Sequence, residues 1–257
     1  MIPRNPYPKA TDSDPIPPHP VLTRYYADDA QRHQFVVHLF DTSARHYDAV
    51  SQLMSLGTGH RYRHEALLRA GLTPGMHLLD VGAGTGAMAA SAAEVVGPQG
   101  SVTALEPSRG MLQETIRKRL RPAVQGMAEN LPFADNSFDM VTMGYALRHI
   151  AELHVAFREY QRVLKPGGMV LLLEITTPAS GLLYYPVKCY FQCLMPALAF
   201  LFRRSKTALV MMSYFWDTMA ACVPPPVITE ALQRVGFRHI NHHVVLSIFS
   251  EYSAKKP

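Results

Sequence analysis

Apolar positions along the chain follow two regimes. Before residue 70 they recur at helical spacing, as in Phe35, Val36, Leu39 and Phe40 and then Tyr47, Val50 and Leu53. This predicts two or three helices between Asp28 and about Arg69, punctuated by Gly57, Gly59 and the Gly71–Pro74–Gly75 stretch. From His77 onward, short apolar runs alternate with amphipathic segments. His77–Val81 reads as a strand ending at Gly82, and Ala87–Val96 as a helix stopped by Gly97. Val102–Leu105 is a second strand, and Ser108–Leu120 a helix with Ser108 as N-cap. Val124–Met127 and Phe138–Met143 are strands 3 and 4. Leu153–Leu164 is an amphipathic helix stopped by Lys165–Gly168, and Met169–Ile175 is a wholly apolar strand of the kind found inside a parallel sheet. A helix over 227–235 and strands His239–Leu246 and Ser247–Ser253 complete the chain. Such alternation predicts an α/β fold, a doubly wound, seven-stranded, mostly parallel sheet with helices on both faces.

Three regions follow from this pattern. Residues 1–27 form a proline-rich flexible arm, since residues 1–20 hold seven prolines and no apolar periodicity. Residues 28–75 form an N-terminal helical subdomain, and residues 76–257 the main domain, with a cap inserted at about 178–224. The 28 residues from Ile175 to Phe202 carry one charge, Lys188, and many aromatics. A membrane span is rejected there because Pro186 and Pro196 interrupt it, Gln192 and Lys188 lie inside it, and the chain must return for two more strands. The stretch reads equally as a cap helix on the core and as an apolar lid, with Arg203, Arg204 and Lys206 placed to touch anionic headgroups. Tyr184, Tyr185, Tyr214 and Trp216 are candidate walls of a pocket beneath it, with core packing the alternative.

Composition adds limits. A hydrophobic fraction of 48 % excludes wholesale disorder. A net charge of +5 suits anionic surfaces or small molecules and is too scattered to argue for nucleic acid. Three cysteines, and no export-type apolar stretch in Met1–Pro20, point to reduced thiols in a cytoplasmic protein, with peripheral membrane contact and a homodimer left open. Cys189 and Cys193 share a helical face and read as core packing rather than as a metal pair; no metal-ligand constellation accompanies them.

The densest chemistry lies in Asp80-Val81-Gly82-Ala83-Gly84-Thr85-Gly86. A strand feeds a glycine turn that opens a helix, so backbone N–H groups face a closely approaching ligand. Gly82-x-Gly84-x-x-Ala87 also satisfies the dinucleotide pattern. The acidic residue two before the first glycine and the early third glycine instead resemble the S-adenosylmethionine (SAM) form of this turn. Glu106, ending strand 2, suits the two ribose hydroxyls of either nucleoside. Leu131-Pro132-Phe133-x-Asp135-x-Ser137-Phe138-Asp139 and Arg162–Gly168 resemble class I methyltransferases, with their Rossmann-like fold.

Phe40-Asp41-x-x-Ala44-x-x-Tyr47-Asp48, Leu53-Met54-Ser55-x-Gly57 and Arg63 resemble the N-terminal signature of the ubiquinone/menaquinone biosynthesis C-methyltransferases. So do Leu147-Arg148, Leu173-Glu174, Ser213-Tyr214, Pro224 and Val235-Gly236-Phe237, over a span from about residue 38 to the C-terminus. The resemblance implies methyl transfer from SAM, leaving S-adenosylhomocysteine, to a ring carbon of a prenylated quinol or naphthol, without a metal. The SAM-binding candidates are Tyr47, Arg63, Asp80, Gly82, Ala83, Gly84, Thr85, Glu106, Pro107, Met111, Met127, Ala128 and Gly144. The family has Asn or Asp where Met127 stands, so Met127 packs on the adenine without accepting a bond. It has Asn where His149 stands.

Methyl transfer depends on alignment and on an activated acceptor. A phenol carbon becomes nucleophilic once the hydroxyl is ionised. Arg148 suits the resulting phenolate but is a poor base, His149 has the intrinsic range of a base, and Tyr145 completes the candidate catalytic set. His149 as an ordinary loop histidine, and His154 as a substitute base, remain open. So do a natural-product O-, N- or C-methyltransferase and a non-catalytic SAM-binding subunit.

Overall fold

The computed structural model describes residues 15–176, 184–194, 197 and 206–257. Helix α1 (Asp29–Met54) begins at Asp28, whose carboxylate accepts the Gln31 N–H at 2.8 Å. It buries one stripe, Arg32, Val36, Leu39, Ser43 and Val50, at the spacing of a helical face. A short α2 (Gly59–Arg69) follows, giving two helices in this region. The sheet then begins with β1 (His77–Val81), α3 (Ala87–Val96), β2 (Ser101–Glu106), α4 (Arg109–Arg117), β3 (Ala123–Gln125) and β4 (Phe138–Gly144). A 3-10 turn (Leu147–His149) leads to α5 (Leu153–Val163) and β5 (Leu164–Ile175). Helix α6 (Tyr184–Cys189) runs into a π-helical turn (Tyr190–Leu194), and α7 (Lys206–Ala221), α8 (Pro225–Arg234), β6 (Arg238–Val245) and β7 (Phe249–Lys255) close the chain.

The strand order is β3-β2-β1-β4-β5-β7-β6. Strands β1 to β5 pair in parallel, and β7 runs antiparallel between β5 and β6. Strand order therefore reverses between β1 and β4, which opens a crevice at their carboxyl ends. The main core lies on one face of the sheet, where Leu79, Val141, Val170 and Leu172 meet Phe157 and Tyr160 of α5 and Ile228, Ala231 and Leu232 of α8. Ala66 and Leu67 of α2 and Met88, Ala92 and Val96 of α3 pack on the other face.

Three expectations need correction. The arm is docked from residue 15 onward. Leu153 donates its N–H to the Ile16 carbonyl (3.0 Å), Val223 to that of Pro18 (2.8 Å), and Ile16, His19 and Tyr26 are buried. Prolines have no N–H to give, so this strap is held largely through its carbonyls, which no hydrophobic period announces. Second, Lys165–Gly168 lies within β5 and is not only a helix stop. Leu164 pairs with Phe138, and a register shift before Met140 absorbs the glycines. Third, Cys189 and Cys193 are exposed, so neither packs in the core; Cys222 is partly buried against it. Most of the segment expected to form the cap before α7, including Arg203 and Arg204, lies outside the described residues. Among the described residues, no helix is long and apolar enough to cross a membrane, and no group of three His, Cys, Asp or Glu is placed to hold a metal ion.

Candidate active site

Gly82 and Gly84 shape the turn after β1. Both have positive φ, +66° and +58°, which an L side chain adopts only with strain. A Cβ on Gly82 would meet the Ala146 Cβ at 2.8 Å, whereas one on Gly84 would project into open space. Glu106 sits against this turn at the end of β2. One carboxylate oxygen accepts the Gly84 N–H (2.8 Å) and the other the Ser108 N–H (2.9 Å). Burial nevertheless pushes its carboxyl up to about 7. Asp80 lies beneath the turn, fully buried. It accepts the Thr142 hydroxyl at 2.9 Å through one oxygen, and the other has no hydrogen-bond partner in the protein. Burial likewise pushes Asp80 up to about 7.

These groups border a cleft of about 930 Å³, open to solvent, at the crevice between β1 and β4. Of the residues expected at the cofactor, Tyr47, Gly82, Gly84, Glu106, Pro107, Met111, Met127, Ala128 and Gly144 line it, and so do Tyr145 and His149. Arg63, Asp80 and Ala83 stand behind this wall. The Arg63 charge still reaches Asp80, Tyr47 and Tyr145, and its Nε is buried without a partner. Tyr145 has φ +61°, an unusual backbone conformation for an aromatic residue and one held at the cleft wall.

Thr85 does not line the cleft, and its expected role changes accordingly. Its hydroxyl donates to Asp48 of α1 at 2.5 Å, and Lys118 closes the cluster, 2.6 Å from the other Asp48 oxygen and 2.8 Å from the Thr85 carbonyl. Seven residues earlier on α1, Asp41 accepts the Ser108 hydroxyl (2.6 Å) and the Gly110 N–H (2.8 Å). Two carboxylates thus fasten α1 at the glycine turn and at the start of α4.

Arg148 is also corrected. Its guanidinium is 4 % exposed and forms an ion pair with Glu174, which is 3 % exposed. It lies over the Phe215 ring, 5.7 Å from the centroid, and does not reach the cleft. The pocket walls expected from the cap move as well. Tyr184 and Tyr185 pack edge-on against each other away from the cleft, with Tyr185 75 % exposed. Trp216 packs with Met54, Ile175, Val187 and Tyr190. Tyr214 lies one layer behind the wall, stacked on the His149 ring at 5.5 Å. His154 is buried beside Glu152, outside the lining.

His149 therefore stands alone of the two chain neighbours in facing the cleft. Phe40 meets its ring edge-on at 5.2 Å, and burial together with the charges of Arg148, His19 and Arg32 holds its pKa well below the usual histidine value. It is a neutral imidazole at neutral pH. Sequence reasoning missed the rest of this end of the cleft, namely Asp29, Arg32, His33, Val36 and Val37 of α1, with Glu129, Ile150 and Ala151. One signal was present: Arg32 falls on the apolar stripe of α1, where a charge is costly unless it has a task.

Comparison with known proteins places this geometry. The family model described as the ubiE/COQ5 methyltransferase family matches residues 27–246. A demethylmenaquinone methyltransferase of Symbiobacterium thermophilum is 32 % identical over 225 residues, 84 % of this chain and 90 % of that protein. One from Staphylococcus aureus strain JH9 is 35 % identical over 184 residues, 70 % of this chain and 76 % of that protein. In fold, the chain is similar to a SAM-dependent methyltransferase from Aquifex aeolicus (TM-score 0.60, 16 % identity, 82 % of this chain and 98 % of that one). It is also similar to a putative S-adenosyl-L-methionine-dependent methyltransferase from Methanococcus maripaludis (TM-score 0.61, 18 % identity, 84 % and 93 %). The glycine turn with Glu106, the sheet order and these relatives agree: the chain belongs to the ubiE/COQ5 methyltransferase family and is a SAM-dependent methyltransferase.

Proposed function

We propose that the protein methylates a ring carbon of a lipophilic quinol or related phenol, using SAM held at the glycine turn. The observation that carries this reading is one continuous cleft. Its lining combines a nucleoside-type set, Gly84 and Glu106 with Met127 and Ala128, and an apolar set, Val36, Val37, Phe40 and Ile150, with a neutral His149 against Phe40. Demethylmenaquinone methyltransferases among the relatives support the choice of acceptor class.

The residues suit SAM. Each Glu106 oxygen keeps lone-pair capacity beyond its backbone bond, as two ribose hydroxyls require. Met127, 39 % exposed, offers an apolar surface for a purine face. Behind the turn, the partnerless Arg63 Nε and Asp80 oxygen suit the carboxylate and ammonium of the methionine portion, the ammonium favouring the ionised form of Asp80. When bound, SAM supplies an electrophilic sulfonium methyl; the C–S bond breaks with its electron pair left on sulfur. The chain's own part is to align the acceptor carbon and manage its protons. His149 receives the hydroxyl proton and, being a weakly basic imidazole in a cleft open to water, releases it to solvent. The methylated ring carbon then gives up its hydrogen as a proton to the same imidazole, now neutral again, and the C–H electron pair restores the aromatic ring.

Large exposed apolar side chains on the cap side, Tyr185, Leu194 and Val210, support peripheral contact with a lipid surface, from which such an acceptor would enter. The test is an acceptor screen with SAM, comparing demethyl-quinols of different prenyl length with small soluble phenols and scoring S-adenosylhomocysteine. Activity confined to prenylated quinols is expected; preferential activity on soluble phenols would move the protein to natural-product chemistry.

SAM binding should depend on pH. Glu106 in the free protein holds its proton up to about 7, and two ribose hydroxyls need the carboxylate. Affinity should therefore be flat above pH 7 and fall by up to about tenfold per unit below it. Folding stability moves the other way. The unfolded carboxyl ionises near its ordinary 4.5 and the folded one near 7, so between these values the folded state holds the extra proton and loses stability as pH rises. Calorimetric titration with SAM from pH 5.5 to 8 checks this, and a flat profile removes Glu106 from the ribose site.

A further inference from the structure

We propose that Arg32 is the cation that meets the ionised oxygen of the acceptor, the task for which Arg148 is not free; the assignment rests on the acceptor chemistry proposed above. Ionising a ring hydroxyl places a negative charge in a site partly screened from water, and a pre-positioned donor there stabilises it more than solvent does. Arg148 is committed to Glu174. Among the described residues that line the cleft, Arg32 is the side chain with a fixed positive charge.

Its surroundings are those of an incompletely paired cation. The side chain is 3 % exposed, yet its carboxylate neighbour, Asp29, is 65 % exposed and lies 3.4 Å away, at the limit of a hydrogen bond. The other nitrogen donates to the Ile150 carbonyl. A guanidinium has five N–H donors, and these contacts use two. Burying a charge with so little compensation is costly, and an anionic ligand would supply what is missing.

The position is suitable as well. Arg32 stands one helical turn before Val36 on the face of α1 that borders the cleft, and Ile150, which it holds, directly follows His149. The Arg32 charge is felt at His149. Proton acceptor and cation therefore border the same end of the cleft. The acceptor O–H bond breaks, its proton passes to the imidazole, and the electron pair stays on an oxygen that takes up unused N–H donors of Arg32.

The bland alternative is that Arg32 only pins α1 to the turn after β4. The experiment separates the two by charge. The protein loaded with S-adenosylhomocysteine is titrated, at a pH low enough that free 4-nitrophenol is neutral, with 4-nitrophenol, whose phenolate absorbs in the visible, and with 4-nitroanisole, a neutral analogue that cannot ionise. The wild type should bind the phenol in its phenolate form and favour it over the anisole by at least about tenfold, the discrimination expected of one charge-assisted bond. Arg32→Met should lose that preference and the phenolate band, Arg32→Lys should keep part of both, and SAM affinity should stay within about twofold in each. With a quinol acceptor, Arg32→Met should lower kcat/KM by roughly a hundredfold, as loss of an oxyanion donor does. Equal binding of phenol and anisole by the wild type overturns the assignment even where the variants do not fold. So does an Arg32→Met protein that keeps the phenolate band. A wild type that prefers the phenolate but methylates no quinol leaves Arg32 as an oxyanion site and sinks the acceptor reading instead.

Discussion

Gly84→Val should abolish SAM binding while leaving a folded protein. Gly84 has φ +58°, and a Cβ there meets nothing within 4 Å because it points into the cleft. The side chain therefore fills ligand space. A β-branched residue in the left-handed region also costs about 1–2 kcal/mol, which pulls the turn toward another conformation and away from the Glu106 carboxylate that its N–H now holds. Losing the space and the Glu106 geometry together should weaken SAM by at least about a thousandfold, roughly 4 kcal/mol. Gly82→Val is the instructive contrast. Its Cβ would collide with the Ala146 Cβ at 2.8 Å, so it should damage the fold itself. Circular dichroism and calorimetric SAM titration of both variants check this. Normal SAM affinity in Gly84→Val would place the cofactor elsewhere.

Arg148→Ala should act first on stability. It leaves the Glu174 carboxylate, 3 % exposed, in the interior without its partner. Breaking one side of a buried pair typically costs about 3–5 kcal/mol. At roughly 2–4 °C per kcal/mol for a chain of this size, Tm should fall by about 10 °C. Replacing both partners, as Arg148→Met with Glu174→Met, should recover most of the loss, because no unpaired charge remains. Turnover should follow the folded fraction. An Arg148→Ala protein with unchanged Tm and lost turnover would return Arg148 to the acceptor and remove the need for Arg32 there.

The same pair shows where sequence reading stops. Leu147-Arg148 and Leu173-Glu174 were both visible as motifs, each at the end of a strand. Their partnership follows from the β4–β5 register, in which Gly144 lies opposite Leu173. A one-dimensional pattern does not give that register, so Arg148 reads as a free cation. By contrast, β1 and the glycine turn were legible because strand, turn and helix are contiguous there, and Glu106 was legible as the end of the next strand, which parallel β1–β2 pairing brings beside the turn. Thr85 failed for the opposite reason: its hydroxyl partner, Asp48, lies 37 residues away on another helix. The Tyr184, Tyr185 and Trp216 assignments failed because aromatic content cannot say which face of a helix turns toward a cleft. The docked strap was hidden by its prolines, whose chain accepts hydrogen bonds donated by distant elements.

Helix α1 touches both halves of the cleft. Asp41 and Asp48 fasten it beside the cofactor turn, while Arg32, Val36 and Phe40 border the end assigned to the acceptor. The two binding events therefore share one rigid body. A ligand that tightens that helix on binding would meet part of the ordering entropy that the second would otherwise face. Thermodynamic reciprocity makes the benefit equal in both directions, so the factor by which SAM sharpens acceptor binding is the factor by which acceptor sharpens SAM binding. A helix outside the sheet is thus the element through which the two proposed sites would be coupled.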